Sequence, residues 1–467
     1  MGKISDLIKY VVMALLLFLL VGVLFNVLEP MLRQTSQTDI GIKKSSFESN
    51  IPGEEQILCV DDNEEALLWR LRMIGGARQS IVLSTFDLRP DENGTKVMAA
   101  LFQAAERGVD IKLLLDGIYE IPFLNRSDTF HALVSHENVE TGIYNPVDFN
   151  GLLRANYRMH DKYLIVDNTM YLLGGRNTND IFLGDHKTGI NVDRDILVYD
   201  TTGGKGESLQ QLQAYFERIW QEPCVKIEKK GNPQNYTEEY ALFTDLYEEL
   251  KEKYPDIERY TGWEEATDPA NKITLISNGT VAKKKSPDVL KTIAMLADGQ
   301  EDVLIQTPYV ICDQYMYDTL RQISDEAEVE IILNAVENGS NPWGCTDYLN
   351  HKQDILDTGV DVYELMNEHA VHTKTVLVGD NLSMVGSYNL DMRSTYLDTE
   401  LMLVIDSEQL NARIRAMADE YREKSIEIKA DGQTTVGPKY KDKQQKTSKH
   451  VFYQILRVLI RPIRHLL

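Results

Sequence analysis

Two histidines of this 467-residue chain each stand two residues ahead of a lysine, at the mouth of a β-branched apolar run. MHDKYLIVDNTMYLLGGRN carries His160 and Lys162; VHTKTVLVGDNLSMVGSYN carries His372 and Lys374. In both stretches an asparagine follows the histidine by seventeen residues, Asn177 and Asn389, preceded by Gly174-Gly175 and Gly386-Ser387. The spacing matches without a gap. Residues i and i+2 of a strand face the same way, so each histidine points with its lysine. If the halves bearing these motifs pack about a pseudo-twofold axis, two imidazoles and two ammonium groups converge on one point. Such a set suits phosphoryl transfer. The ammonium groups and nearby amides stabilise the equatorial oxygens, while one imidazole attacks phosphorus and the other protonates the leaving oxygen. Glycine at 174, 175 and 386 lets backbone amides approach a phosphate closely. A lone histidine reads as structural, and His131, His136, His186, His351, His450 and His465 stay with that reading. His369 and His372 form an HxxH, but on a strand they point to opposite faces, so no metal site is expected.

Elements able to position the motifs recur with them. IVLSTFDLRPDENGTKVMAALFQAAERGVDIKLLLDG reads as strand, loop, helix, strand, and so does VLIQTPYVICDQYMYDTLRQISDEAEVEIILNA some two hundred residues later. Alternating strands and helices of these lengths imply α/β layers around a parallel or mixed sheet. Two copies are too few for a solenoid. The body therefore divides into residues 56–228 and 229–430, with the boundary in the charged stretch around Lys226–Asn235. The segment Asp180 to Asp193 lengthens the first half and is a candidate rim for the site.

At the N-terminus, nineteen residues from Tyr10 to Leu28 hold Asn26 as the only strongly polar side chain. At 1.5 Å per residue they span about 28 Å, the hydrocarbon thickness of a bilayer. No small-x-small cleavage site follows, which favours an uncleaved anchor (1–32) over a signal peptide. Residues 33–55 read as a polar linker. Basic residues flank the apolar run on both sides, so orientation is left open. The formal charge is −23, yet the last thirty residues hold eight Lys/Arg against Asp442. Those thirty residues, 438–467, carry +7 and the rest −30, within a tail that runs over 431–467. Its HVFYQILRVLIRPIRHLL reads as a cationic amphipathic segment, kinked at Pro462, that lies in a membrane interface or docks on the acidic body. The acidic body disfavours nucleic acid. Cys59, Cys224, Cys312 and Cys345 show no metal or disulfide spacing and read as buried thiols.

The motif pair resembles the phospholipase D superfamily signature, HxKxxxxD followed by GG or GS and then Asn. His160 to Asp167 fits it fully, whereas the second copy has Gly379 at the Asp position, with Asp380 beside it. NLDMRSTYLDTELMLVIDS and DRDILVYD are similar to segments of bacterial cardiolipin synthases, and the resemblance covers roughly residues 51–424. It implies two phospholipase D-like α/β/α halves about a pseudo-twofold axis. His160 is then the nucleophile and His372 the general acid, later the base. Lys162, Lys374, Asn177 and Asn389 bind phosphate, with Gly175 and Ser387 beside them. Glu400 orients an imidazole, and Asp195 is its first-half counterpart. Asp167 is the motif carboxylate, supporting strand and turn more than chemistry.

The implied activity is phosphatidyl transfer at a bacterial plasma membrane, from phosphatidylglycerol to a second phospholipid, giving cardiolipin without metal or cofactor. Hydrolysis, transfer to another alcohol, and a non-catalytic scaffold that Gly379 would permit are the alternatives.

Overall fold

The computed structural model describes residues 2–33, 43–148, 152–443 and 446–467. Two nine-stranded mixed sheets dominate it. In the first, strands Ser80–Thr85, Asp110–Asp116 and Val139–Tyr144 run parallel. Tyr163–Val166, Met170–Gly174, Asp195–Asp200 and Glu55–Val60 then add antiparallel on one side. The second sheet repeats this order and polarity. Its parallel strands are Asp302–Gln306, Glu328–Asn334 and Asp361–Leu365, followed by Thr375–Val378, Leu382–Gly386, Leu401–Asp406 and Lys272–Ser277.

The repeat extends to the helix starts. Asp91 caps the helix Glu92–Glu106 by accepting from the Gly94 amide, and Asp313 caps Gln314–Ser324 by accepting from Met316. Each cap satisfies a backbone donor that the helix itself leaves orphaned. Helices Asn63–Gly76 and Glu92–Glu106 close one apolar core against the outer face of the first sheet. Asp288–Ala297, Gln314–Ser324 and Pro342–Leu356 do the same for the second. A third core joins the inner faces of both sheets with helices Glu207–Trp220 and Glu408–Glu423. The motif strands are buried on both sides, which explains their unbroken apolar runs, YLIV and TVLV.

Two boundaries differ from expectation. The first half does not stop at residue 228, because helix Thr237–Lys253 buries Phe243, Tyr247 and Leu250 in the first core. Asp268–Pro269 then adds to the first sheet beside Gln56 and Ile57. Nor are residues 33–55 all linker: Phe47 is fully buried in the second core, and the Ser49 amide donates to Asp406. Residues 34–42 lie outside the described segments.

The N-terminal stretch is a helix, Gly2–Leu32. Counting the described residues alone, no helix is long and apolar enough to cross a membrane. The end of this helix touches the body at Asn156, whose amide donates to Asn26 O at 2.5 Å, and at Tyr157, whose hydroxyl donates to Glu29. The tail forms a helix, Thr447–Leu459, and a 3₁₀ turn, Arg461–Leu466. It docks through buried Tyr453, Leu456 and Ile460 and through Arg464, which donates to Asp347 at 2.7 Å. All four cysteines are buried free thiols.

Candidate active site

The motif histidines enter the cleft on extended segments that each half lends to the other. Met159 bridges Thr399 in parallel, and the His160 amide donates to Thr399 O at 3.3 Å. Reciprocally, Ala370–Val371 pairs in parallel with Asn191–Val192, and the His372 amide donates to Val192 O at 2.7 Å. The next residue on each accepting segment is a carboxylate. Glu400 Oε1 lies 2.9 Å from His160 Nδ1, and Asp193 Oδ2 lies 2.6 Å from His372 Nδ1. Each histidine is therefore oriented by an acid of the opposite half. With Nδ1–H donating to the carboxylate, Nε2 carries the lone pair in both rings.

The lysines are buried beside them. Lys162 donates to His160 O and lies 5.2 Å from the centre of the Phe86 ring. Lys374 donates to His372 O and sits 3.5 Å from Asp193 Oδ2. Rings flank both imidazoles: Phe86 lies 5.0 Å from His160 and Phe182 lies 5.0 Å from His372, centroid to centroid. Phe182 belongs to the long segment between Asp180 and Asp193. Asn177 and Asn389 are buried, and each leaves its Oδ1 without a hydrogen-bond partner among the described residues.

Charge is unequally distributed between the two dyads. Burial, then the like charge of Lys374, pushes Lys162 down to about 7. Burial also lowers Lys374, though Asp193 and Glu400 oppose it. His160 falls well below its ordinary value through burial and Lys162; His372 falls to about 4 through burial and Lys374. Burial lifts Glu400 to about 8 despite the attraction of Lys162 and a hydrogen bond from Ser387. Burial works against Asp193 too, but Lys374 and His372 hold it at about 2. The cleft concentrates dehydrated lysines and imidazoles whose cationic forms an entering anion would stabilise.

Several expected site residues have other partners. Asp195 meets neither histidine. Its carboxylate accepts from Arg70 at 3.0 Å and Arg176 at 3.3 Å, all three side chains being buried. Asp193 stands in its place, two residues earlier. Asp167 lies away from the cleft, at φ 49°, and accepts from the amides of Arg78, Gln79 and Ser80; it holds a turn. Gly379 occupies the matching turn at φ 55°, where Gln300 fills the space a side chain would take. The departure from the signature is thus local. Ser387 does not line the cleft as a ligand group: it donates to Glu400 Oε2. Gly175 likewise serves a carboxylate, because a Cβ there would run into both oxygens of Asp193.

Register offers the signal for Asp193. Gly174 lies opposite Asp195, and Gly386 lies opposite Met402. Two residues before each partner stand Asp193 and Glu400. Thr399, whose hydroxyl donates to Asp161 at 2.7 Å, and the two phenylalanines carried no motif and were not anticipated. Beside His372 opens a cavity of about 280 Å³ lined by Asn191, Tyr309, Ser340 and Asn341 among others.

Known proteins share the family and the fold. The family model for the cardiolipin synthase phospholipase D-like domain matches residues 71–220 and 292–422, more than half of the chain. Cardiolipin synthase C of Escherichia coli K12 is 25% identical over 412 residues, covering 78% of this chain and 84% of that protein. The major cardiolipin synthase ClsA of Bacillus subtilis 168 is 26% identical over 352 residues, covering 74% of this chain and 65% of that one. In fold, a phosphatidylserine synthase from Haemophilus influenzae Rd KW20 superposes with a TM-score of 0.62 at 14% identity, covering 91% of this chain and 99% of that one. The chain belongs to the cardiolipin synthase family of phospholipase D-like enzymes.

Proposed function

We propose that the chain transfers a phosphatidyl group from phosphatidylglycerol to a second phospholipid, forming cardiolipin through a covalent phosphohistidine. The observation that carries this reading is the pair of crossed histidine–carboxylate dyads, His160–Glu400 and His372–Asp193, with a buried lysine beside each. Two dyads of opposite direction allow one histidine to form the bond while the other manages the proton.

In the first step His160 Nε2 attacks phosphorus. The bond to the departing headgroup oxygen breaks, and His372 Nε2–H gives that oxygen its proton. Asp193, ionised beside His372, makes the imidazolium form accessible once the phosphate anion has entered. Lys162 and Lys374, with the side chains of Asn177 and Asn389, bind the non-bridging oxygens. In the second step the acceptor hydroxyl loses its proton to His372 Nε2, attacks phosphorus and displaces His160. The donor lipid and the product lipid are both phosphodiesters, so little net free energy separates forward from reverse transfer.

The bilayer setting is part of the same reading. The apolar run from Tyr10 to Leu28 lies on the helix Gly2–Leu32, with Leu17, Leu20, Leu24 and Leu28 exposed. We place it in the plasma membrane as an anchor, where acceptor lipid competes with water. Incubating the purified chain in phosphatidylglycerol vesicles, without and with EDTA, and separating the lipids tests the proposal. Cardiolipin lost in His160→Ala is the expected result. Phosphatidic acid alone would replace transfer with hydrolysis, and no product would turn the reading to a scaffold.

A further inference from the structure

The tail helix Thr447–Leu459 is apolar on two opposite faces. Tyr453, Leu456 and, just beyond, Ile460 are buried against helix Pro342–Leu356 and the second core. On the far side Val451, Phe452, Ile455, Val458 and Leu459 are each more than half exposed, at i, i+1, i+4, i+7 and i+8, one continuous helical stripe. Docking has therefore not consumed the amphipathic character; it has turned the second apolar face outward. Lys441, Lys443 and Lys446 are exposed just ahead of the helix, and Arg461 just after it. A protein-core partner would be matched poorly by such a cationic fringe, whereas an anionic lipid surface satisfies both stripe and fringe.

Continuity supports the same occupant. The turn after the helix reaches the proposed anchor, with His465 Nε2 2.7 Å from Val27 O. It also reaches the catalytic segments. Arg393 donates to Leu466 O at 3.1 Å and to Asn156 O at 2.7 Å, and its Nε lies 3.0 Å from Asp398. Asn156 and Asp398 lie on the segments that deliver His160 and Glu400. We propose that the outward face of helix 447–459 seats in the headgroup–acyl boundary of an anionic bilayer and, through the Arg393 clamp, holds the His160 side of the cleft at headgroup level. The proposal shares with the proposed function its bilayer setting, but its readout needs no turnover.

The test uses the full chain reconstituted in phosphatidylcholine vesicles with and without phosphatidylglycerol. Since the natural cysteines are buried, nitroxide labels are attached at Phe452→Cys, Ile455→Cys and Leu459→Cys, with Asp431→Cys as the aqueous control. In phosphatidylglycerol vesicles the three labels are expected to favour collision with oxygen over an aqueous nickel chelate by about threefold relative to the control. Arg461→Gln is expected to weaken seating about fivefold, the worth of one basic residue near an anionic surface. Labels that collide mainly with the chelate overturn the proposal. Dipolar broadening between labels also overturns it, since the face then belongs to a second copy of the chain. The double substitution Ile455→Asp/Leu459→Asp adds a functional arm: transfer on vesicles falls, while transfer on dispersed short-chain phosphatidylglycerol is unchanged. Seating without any turnover would sink the enzymatic reading and leave this one standing.

Discussion

Replacing Asp193 by Asn separates the acid that orients His372 from the one two residues later that does not. Asp193 is fully buried, 2.6 Å from His372 Nδ1 and 3.5 Å from Lys374 Nζ. Asn keeps the shape and can still accept from Nδ1–H, so charge is what the substitution removes. Leaving a buried cation without its partner costs roughly 3 to 5 kcal/mol. If most of that falls on the state in which His372 is protonated, transfer slows between about a hundredfold and a few thousandfold, at 1.36 kcal/mol per decade. The assay compares phosphatidylglycerol with a p-nitrophenyl phosphodiester lipid. The nitrophenolate leaves without a proton, so its release should fall no more than about tenfold, while glycerol release falls by the full factor. Asp195→Asn behaves in the opposite way. It leaves Arg70 and Arg176 sharing no carboxylate, lowers the melting temperature, and spares the ratio between the two donors. If Asp195→Asn abolished turnover at an unchanged melting temperature while Asp193→Asn worked normally, the assignment of the dyads would be wrong.

Glu400 makes a signed prediction about pH. Its folded value is raised to about 8, so its favourable contribution is complete below the unfolded value, 4.5, and is lost as pH rises towards 8. Glu400→Gln should therefore gain stability relative to the parent across that window, by roughly 3 to 5 kcal/mol at its upper end, while losing transfer; thermal melts at pH 5 and pH 8 check it, and an equal difference at both refutes it. Gly175→Ala drives a methyl group into the Asp193 carboxylate and is expected to cost about tenfold or more in transfer, read as kcat in vesicles, with a smaller effect on the melting temperature. Gly379→Asp restores the signature at a φ that Asp167 already tolerates, and only the flexible end of Gln300 must yield. Stability should change by less than about 1 kcal/mol and activity should be retained; a large gain in activity would mean that Gly379 does impair the second half.

Much of this was legible in the residues. Matched spacing in the two motifs located both histidines and both lysines, because a strand of fixed geometry delivers i and i+2 to one face. The duplicated strand–helix–strand pattern foretold two similar sheets. Asp193 was missed because motif and carboxylate are spaced differently in the two halves: the long segment Asp180 to Asp193 lies between them in the first. Strand pairing sets the match, with Gly174 opposite Asp195 and Gly386 opposite Met402, so that Asp193 corresponds to Glu400. Local pattern cannot report such an offset; hydrogen-bonded pairing does. Helix 237–253 was assigned to the wrong half for a related reason. Its amphipathic stripe states that it packs, not on what, and the choice fell to Phe243 and Tyr247 meeting the first core. The roles of Ser387 and Gly175 also escaped, because each acts on a carboxylate just ahead of the neighbouring strand, which only the pairing brings alongside.

Crossed dyads give synthesis a direction. A ribosome releases His160 early, within a half whose sheet and helices have most of their own partners. The acid that must hold that imidazole arrives only with residue 400, and the segment that carries it binds His160 through Thr399. Until then the nascent chain holds a histidine with no carboxylate on Nδ1 and nothing to fix its tautomer. The second histidine arrives before Glu400, already facing Asp193, so the His372 dyad is assembled first and the His160 dyad last. A nascent chain thus holds an incomplete cleft until its two halves have closed on each other.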